Sequence, residues 1–215
     1  MASNHHTHAG LRNGHKRQHK TRKVDAEENG RYEIRLSGSG GQGMIFAGTV
    51  LAEAIGVEED KNVCQTQSYG PEARGGASRS DLVVSQGEIY YPKPLKLDLL
   101  LALTQEACDT YFPSLKEDGV LVVDSGLVEQ LPNHEVHGFP FTQLARDEVG
   151  TPMVANIMAL GAIAALTKVV SKPALLAAVK KRAPQGTEDR NLKAVEIGYE
   201  LVRKRTHTKK RMSPA

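Results

Sequence analysis

The chain has 215 residues, only two cysteines, no tryptophan, and aromatic residues at 5%. This length suits one α/β domain whose core needs no disulfide or structural metal. Cys64 and Cys108 are too few and too far apart for an iron–sulfur or zinc framework, and their number fits a reducing cytoplasm. The formal charge of +3 is unevenly spread: residues 1–30 carry six Lys/Arg against three Asp/Glu, and 203–215 carry six against none. Residues 31–202 are therefore an acidic body of net −6 with few aromatic side chains, which argues against a nucleic-acid reader.

Residues 1–30 hold almost no apolar side chains but five histidines, His5, His6, His8, His15 and His19. Such composition predicts a disordered basic extension in preference to a metal site, and no apolar stretch suggests a secretory leader. The body, 31–203, opens with an alternating strand at 32–37 that runs into glycines, followed by a helix over 44–55. A short strand at 62–66, a loop to Gly76, a strand at 80–85 and a partner strand at 88–91 come next. The unbroken apolar run 97–103 reads as a strand buried on both faces. A helix is expected over 104–116, then strands at 120–123 and 135–139, and helices at 140–148, 152–170, 173–182 and from 188 to about 203. A solvated basic tail, 204–215, closes the chain.

Strands alternating with helices predict a three-layer α/β/α fold with a mostly parallel, Rossmann-like sheet and a helical C-terminal third packed on it. The apolar stretch Met153–Leu166, broken by Asn156, spans only 14 residues. A bilayer span needs roughly 20, so this is a buried helix, started by Thr151 and Pro152, and no membrane association is expected.

Two glycine clusters carry the candidate chemistry. Gly38-Ser39-Gly40-Gly41-Gln42-Gly43 follows a strand and opens a helix, where glycines permit a tight turn and free N–H groups can hold an anion. A dinucleotide fingerprint also wants an acidic residue at the end of the next strand, and Cys64-Gln65-Thr66-Gln67 offers none. A phosphate or coenzyme tail, or a turn with no ligand, remain the readings for this loop. The second cluster, Tyr69-Gly70-Pro71-Glu72-Ala73-Arg74-Gly75-Gly76, is either a rigid turn with a local ion pair or a ligand loop with an anion-binding guanidinium. No nucleophile triad, HExxH or P-loop lysine is present. An enzyme-like fold with glycine loops and no catalytic group suggests a subunit that completes a site held elsewhere.

The segments GSGGQG (38–43), Ala52-Glu53-Ala54, SYGPEARGG (68–76), VANIMALGA (154–162) and NLKAVEIGY (191–199) resemble, in order, the gamma subunit of 2-oxoacid:ferredoxin oxidoreductases. The resemblance covers roughly 33–202 and leaves both tails outside. It implies a subunit of a cytoplasmic complex that oxidatively decarboxylates a 2-oxoacid to acyl-CoA and CO2, with electrons passing to ferredoxin. Thiamine diphosphate, Mg2+ and 4Fe-4S clusters are then expected on thiamine-binding alpha and beta subunits and a ferredoxin-like delta subunit or domain. None is expected on this chain, although the resemblance implies a chain that shapes the substrate or CoA region. Carried over by position, Gly38, Gly40, Gly41, Gln42 and Gly43 form one loop. Tyr69, Glu72, Arg74, Gly75 and Gly76 form the other, and Asn156 is the polar group facing them, all for binding or subunit contact and none catalytic. The same domain occurs in indolepyruvate:ferredoxin oxidoreductase, and a free-standing coenzyme-binding module is the reading from another class.

Overall fold

The computed structural model describes residues 30–68 and 77–212, with no side chain described at 77 or beyond 204. Apart from Gly30, the expected extension at 1–30 lies outside the described residues. In chain order the elements are β1 (Tyr32–Ser39), α1 (Met44–Gly56), β2 (Asn62–Ser68), β3 (Ala77–Ser85), β4 (Leu97–Ala102), α2 (Gln105–Tyr111) and β5 (Leu115–Asp124). They continue as β6 (Val136–Phe139), α3 (Phe141–Val149), α4 (Ala155–Thr167), α5 (Lys172–Arg182) and α6 (Glu188–Met212).

The strands form one sheet in the order β2-β3-β1-β4-β5-β6. Neighbours from β1 through β4 and β5 to β6 are parallel, while β3 is antiparallel to both β1 and β2. Among the described strands β3 alone runs backwards. The expected mostly parallel α/β architecture is therefore the one observed, with two unequal outer layers.

On one face Ile34, Leu36, Leu82, Leu99 and Leu101 pack against α1 and the C-terminal helices in the larger core. On the other face Leu100, Ala102, Leu121 and Val123 meet Ala107, Cys108 and Tyr111 of α2. Helix α4 is apolar all round because it lies inside the larger core, where Ile157 to Ile163 are fully or almost fully buried. It crosses α6 at backbone contact. A Cβ on Gly198 would lie 1.9 Å from Met158 O, and one on Gly161 would lie 2.3 Å from Val195 O.

Two carboxylates tie this frame together. Glu53 of α1 is buried and accepts hydrogen bonds from Lys181 and Arg182 at the end of α5. Those bonds hold its carboxyl below the usual carboxylate range. Glu33 of β1 accepts from Leu95 N at 2.6 Å, Lys96 N at 2.8 Å and Arg31 Nε at 2.5 Å. Arg31 in turn donates to the carbonyls of Tyr91 and Lys93.

That clamp explains the first departure from the sequence reading. Residues 88–91 form no strand, because the chain there is captured by Arg31 and Glu33 and has no ladder to join. Helix α2 stops at Tyr111, well short of Lys116, since Pro113 sits in a 3₁₀ turn, Phe112–Ser114. Strand β5 then starts at Leu115 and reaches Val120 through an irregular register against β4. The expected 152–170 helix is split into a 3₁₀ turn, Pro152–Val154, and α4, which Lys168 ends in the left-handed region. Helix α6 passes Arg203, where the sequence places its end, and continues to Met212.

Candidate functional site

The site is built at the carboxyl rim of the sheet, where β1 gives way to α1. Ser39 and Gln42 close a tight turn, with Gln42 N donating to Ser39 O at 3.2 Å. The Gln42 side chain folds back over it, and its Oε1 accepts from Ser39 N at 2.8 Å. Gln42 therefore holds the loop's shape and turns its acceptor inward. Gly40 and Gly41 stand exposed at the tip. Gly43 has φ +70° and caps α1 with no side chain of its own, so the first-turn N–H groups of α1 face the rim without a side-chain cap.

Asn156 reaches this loop from α4. Its Nδ2 donates to Gly43 O at 2.9 Å, the carbonyl that also takes Ala47 N. A Cβ at Gly43 would lie 2.6 Å from that Nδ2. The contact sets the first turn of α4 against the first turn of α1, so two helix starts share one rim. At α4 the N–H groups are already used, Ala155 N by Pro152 O and Ile157 N by Asn156 Oδ1, so the uncapped start of α1 is the one that suits an anion. The structure thus joins Asn156 to Gly38–Gly43, as the sequence reading expects.

The second cluster, Tyr69, Glu72, Arg74, Gly75 and Gly76, lies outside the described residues. Its flanking strands are described. Ser39 pairs with Ala77, and Ser68 pairs with Arg79. The β2–β3 connection therefore begins and ends at the same rim as the glycine turn, because β3 is reversed.

Behind that rim, on the α2 face, lies a charged cluster that sequence reasoning missed. Arg35 donates to both oxygens of Asp81, Nε to Oδ1 at 2.7 Å and Nη2 to Oδ2 at 2.8 Å, with both residues buried. Arg79 stands next to them, and both guanidinium groups lie over the Tyr111 ring, at 4.8 Å for Arg35 and 5.5 Å for Arg79. No motif marks these residues; only the strand register could have found them.

Other candidates resolve as structural. Both oxygens of Asp124 are taken by backbone N–H groups, of Gly126 at 3.0 Å and Thr142 at 2.8 Å. Cys108 is buried, and burial, with Asp109 nearby, pushes its thiol pKa up, away from nucleophile chemistry. His134 bonds Gly119 O through Nε2 at 2.7 Å. Among the described residues no three His, Cys, Asp or Glu side chains converge as metal ligands, and no helix is long and apolar enough to cross a membrane.

The decisive observation is that residues 33–201 match the family described as pyruvate ferredoxin/flavodoxin oxidoreductase. The chain belongs to that family. Among its relatives in this pyruvate ferredoxin/flavodoxin oxidoreductase family is the 2-oxoglutarate synthase subunit KorC of Methanocaldococcus jannaschii. The two are 48% identical over 177 residues, which is 80% of this chain and 95% of that one. The pyruvate synthase subunit PorC of Methanothermobacter marburgensis is 30% identical over 179 residues, 80% of this chain and 97% of that one. A crystal structure of a keto/oxoacid ferredoxin oxidoreductase gamma subunit from Geobacter sulfurreducens superposes with a TM-score of 0.73 at 50% identity. That match covers 79% of this chain and 95% of the Geobacter chain. The protein is a gamma subunit of the 2-oxoacid:ferredoxin oxidoreductases and so part of a multi-subunit oxidoreductase.

Proposed function

We propose that this subunit serves a cytoplasmic complex converting 2-oxoglutarate, CoA and oxidised ferredoxin into succinyl-CoA, CO2 and reduced ferredoxin. Support for the substrate is the higher identity to a 2-oxoglutarate synthase subunit, 48%, than to a pyruvate synthase subunit, 30%. Within the complex, Gly38, Gly40, Gly41, Gln42, Gly43 and Asn156 shape one side of the substrate or CoA region. Tyr69, Glu72, Arg74, Gly75 and Gly76 supply the other side. The observation that carries this role is the glycine rim itself, where the exposed Gly40 and Gly41 precede the start of α1, whose first-turn N–H groups have no side-chain cap and can serve an anion.

The rim's chemistry fits a phosphate of CoA, held by N–H groups of Gly40, Gly41 and the first turn of α1. Thiamine diphosphate, Mg2+ and 4Fe-4S clusters belong in this reading to the alpha, beta and delta chains, and thiamine diphosphate supplies the decarboxylation chemistry. The gamma chain's own work is to orient the acyl acceptor and hold subunits together.

Purification of the complex from its native host tests the reading. Thiamine- and cluster-bearing chains should co-purify, and turnover on 2-oxoglutarate should exceed turnover on pyruvate. A chain recovered without such partners would sink it. Within an active complex, Arg74→Ala should raise the CoA concentration for half-maximal rate more than it weakens assembly; an unchanged CoA dependence removes Arg74 from the site.

A further inference from the structure

Among the described residues, Arg79 shares its ion-pair partner, Asp81, with Arg35. Asp81, the nearest carboxylate, already receives two short hydrogen bonds from Arg35, at 2.7 and 2.8 Å. Arg79 Nε stands 3.7 Å from Asp81 Oδ2, beyond hydrogen-bond range. That Nε is buried and has no hydrogen-bond partner. Buried donors are almost always satisfied, so an orphaned one in a charged group points to a missing acceptor. The cluster holds two guanidinium groups and one carboxylate, a net charge of +1.

The rest of the side chain is set up to receive that acceptor. Arg79 Cζ lies 5.5 Å from the centre of the Tyr111 ring, a cation–π contact that restrains the side chain. That side chain keeps 35% of its accessible surface although Nε is buried. By register it stands opposite Ser37 of β1 and Ser68 of β2, two positions inside the rim where β1 ends at Ser39.

We propose that Arg79 binds an oxyanion, the carboxylate or phosphate of a small ligand that enters at this rim. A guanidinium matches either group bidentately, and a side chain restrained by a ring loses little freedom in doing so. The proposal deepens the reading above, since it rests on the rim being ligand-bearing. It requires no particular substrate. The ligand's oxygens would take the two terminal N–H groups, while Nε stays buried beside Asp81 and the Arg35–Asp81 pair holds the platform beneath them.

Calorimetric titration of the full chain at low ionic strength with inorganic phosphate, 2-oxoglutarate and CoA tests it. At least one titrant should bind, and Arg79→Ala should weaken that binding tenfold or more. Arg79→Lys, which keeps the charge and loses the fork, should weaken it less. Binding of phosphate and CoA names phosphate as the source; binding of the oxoacid alone names carboxylate. If Arg79→Ala fails to fold, Arg79→Gln keeps the side chain's length and carries the same expectation. Failure of all three titrants to bind overturns the proposal, and so does an affinity unchanged by loss of the arginine. A variant that binds normally but loosens the complex also overturns it, by assigning Arg79 to a partner chain's carboxylate. Co-purification with thiamine- and cluster-bearing chains would stand in any of these cases, so the subunit's role and the arginine's role fail separately.

Discussion

The same strands build two chemically different faces. Toward α1 and α4 they present Ile34, Leu36, Leu82, Leu99 and Leu101, all fully buried, and the helices there approach until backbones touch. Toward α2, β4 and β5 present Leu100, Ala102, Leu121 and Val123, but β1 and β3 present Glu33, Arg35, Ser37, Arg79 and Asp81, with both guanidinium groups over the Tyr111 ring. The first face is held by shape and area, so its vulnerabilities are volume and close approach. The β1–β3 half of the second is held by pairing, so its vulnerability is a missing partner. The apolar face gives the chain its fold; the charged face leaves it something to recognise.

The sharpest way to break that contrast is Asp81→Ala, which strands the buried Arg35 guanidinium. Denaturant unfolding should show a loss of about 3–5 kcal/mol. A double variant, Arg35→Met with Asp81→Leu, should recover most of it, and a double variant as unstable as the single would mean that pairing is not what holds this face. On the apolar face, Gly198→Ala drives a methyl into Met158 O and should cost about 3 kcal/mol, while Gly87→Ala, with nothing within 4 Å of its Cβ, should stay within about 0.5 kcal/mol. Equal melting temperatures for the two variants would refute a backbone-contact crossing.

Glu53→Gln is milder, because Lys181 and Arg182 are half exposed and rehydrate when released; about 1–2 kcal/mol is expected. Its pH dependence has a definite sign. The folded-state pKa of Glu53 lies below the ordinary 4.5, so its stabilisation is complete above that value and is lost as pH falls through the folded pKa. Stability curves of wild type and Glu53→Gln should therefore converge in acid; curves that stay parallel down the acid limb would contradict this. Smallest is Asn156→Ala, about 1 kcal/mol, since Gly43 O keeps Ala47 N and the other bond lost is the local one from Ile157 N to Asn156 Oδ1. Turnover of the assembled complex should fall further than that loss explains, and equal falls would make the asparagine purely structural.

Much of the architecture was legible because local signals agreed with packing. The run Leu97–Leu103 could only be a doubly buried strand, and Thr151-Pro152 announced the helix that follows. The glycine turn and Asn156 were legible too, since positive-φ demands and a lone polar group in an apolar helix leave marks in one sequence. What stayed hidden depends on distant partners. Residues 88–91 have strand composition but Arg31 holds the Tyr91 carbonyl, and 116–119, read as a helix end and a turn, is a bulge within β5 between the pairs Leu97/Leu115 and Leu99/Val120. The reversed strand β3 has no local signature, because direction in a sheet is decided by tertiary pairing. Arg79 was invisible for the same reason: its neighbours Arg35 and Tyr111 lie 44 and 32 positions away in the chain and meet it only in the fold.

The Glu33 carboxylate has a kinetic consequence. It collects the amides of Leu95 and Lys96, in a stretch without regular secondary structure, on a side chain planted in the sheet. Those two amides should exchange with deuterium as slowly as strand amides, since releasing them requires the carboxylate to leave β1's surface. Trypsin should likewise spare Lys96 in the native chain. In this protein, irregular backbone between β3 and β4 belongs to the slow-opening part of the molecule.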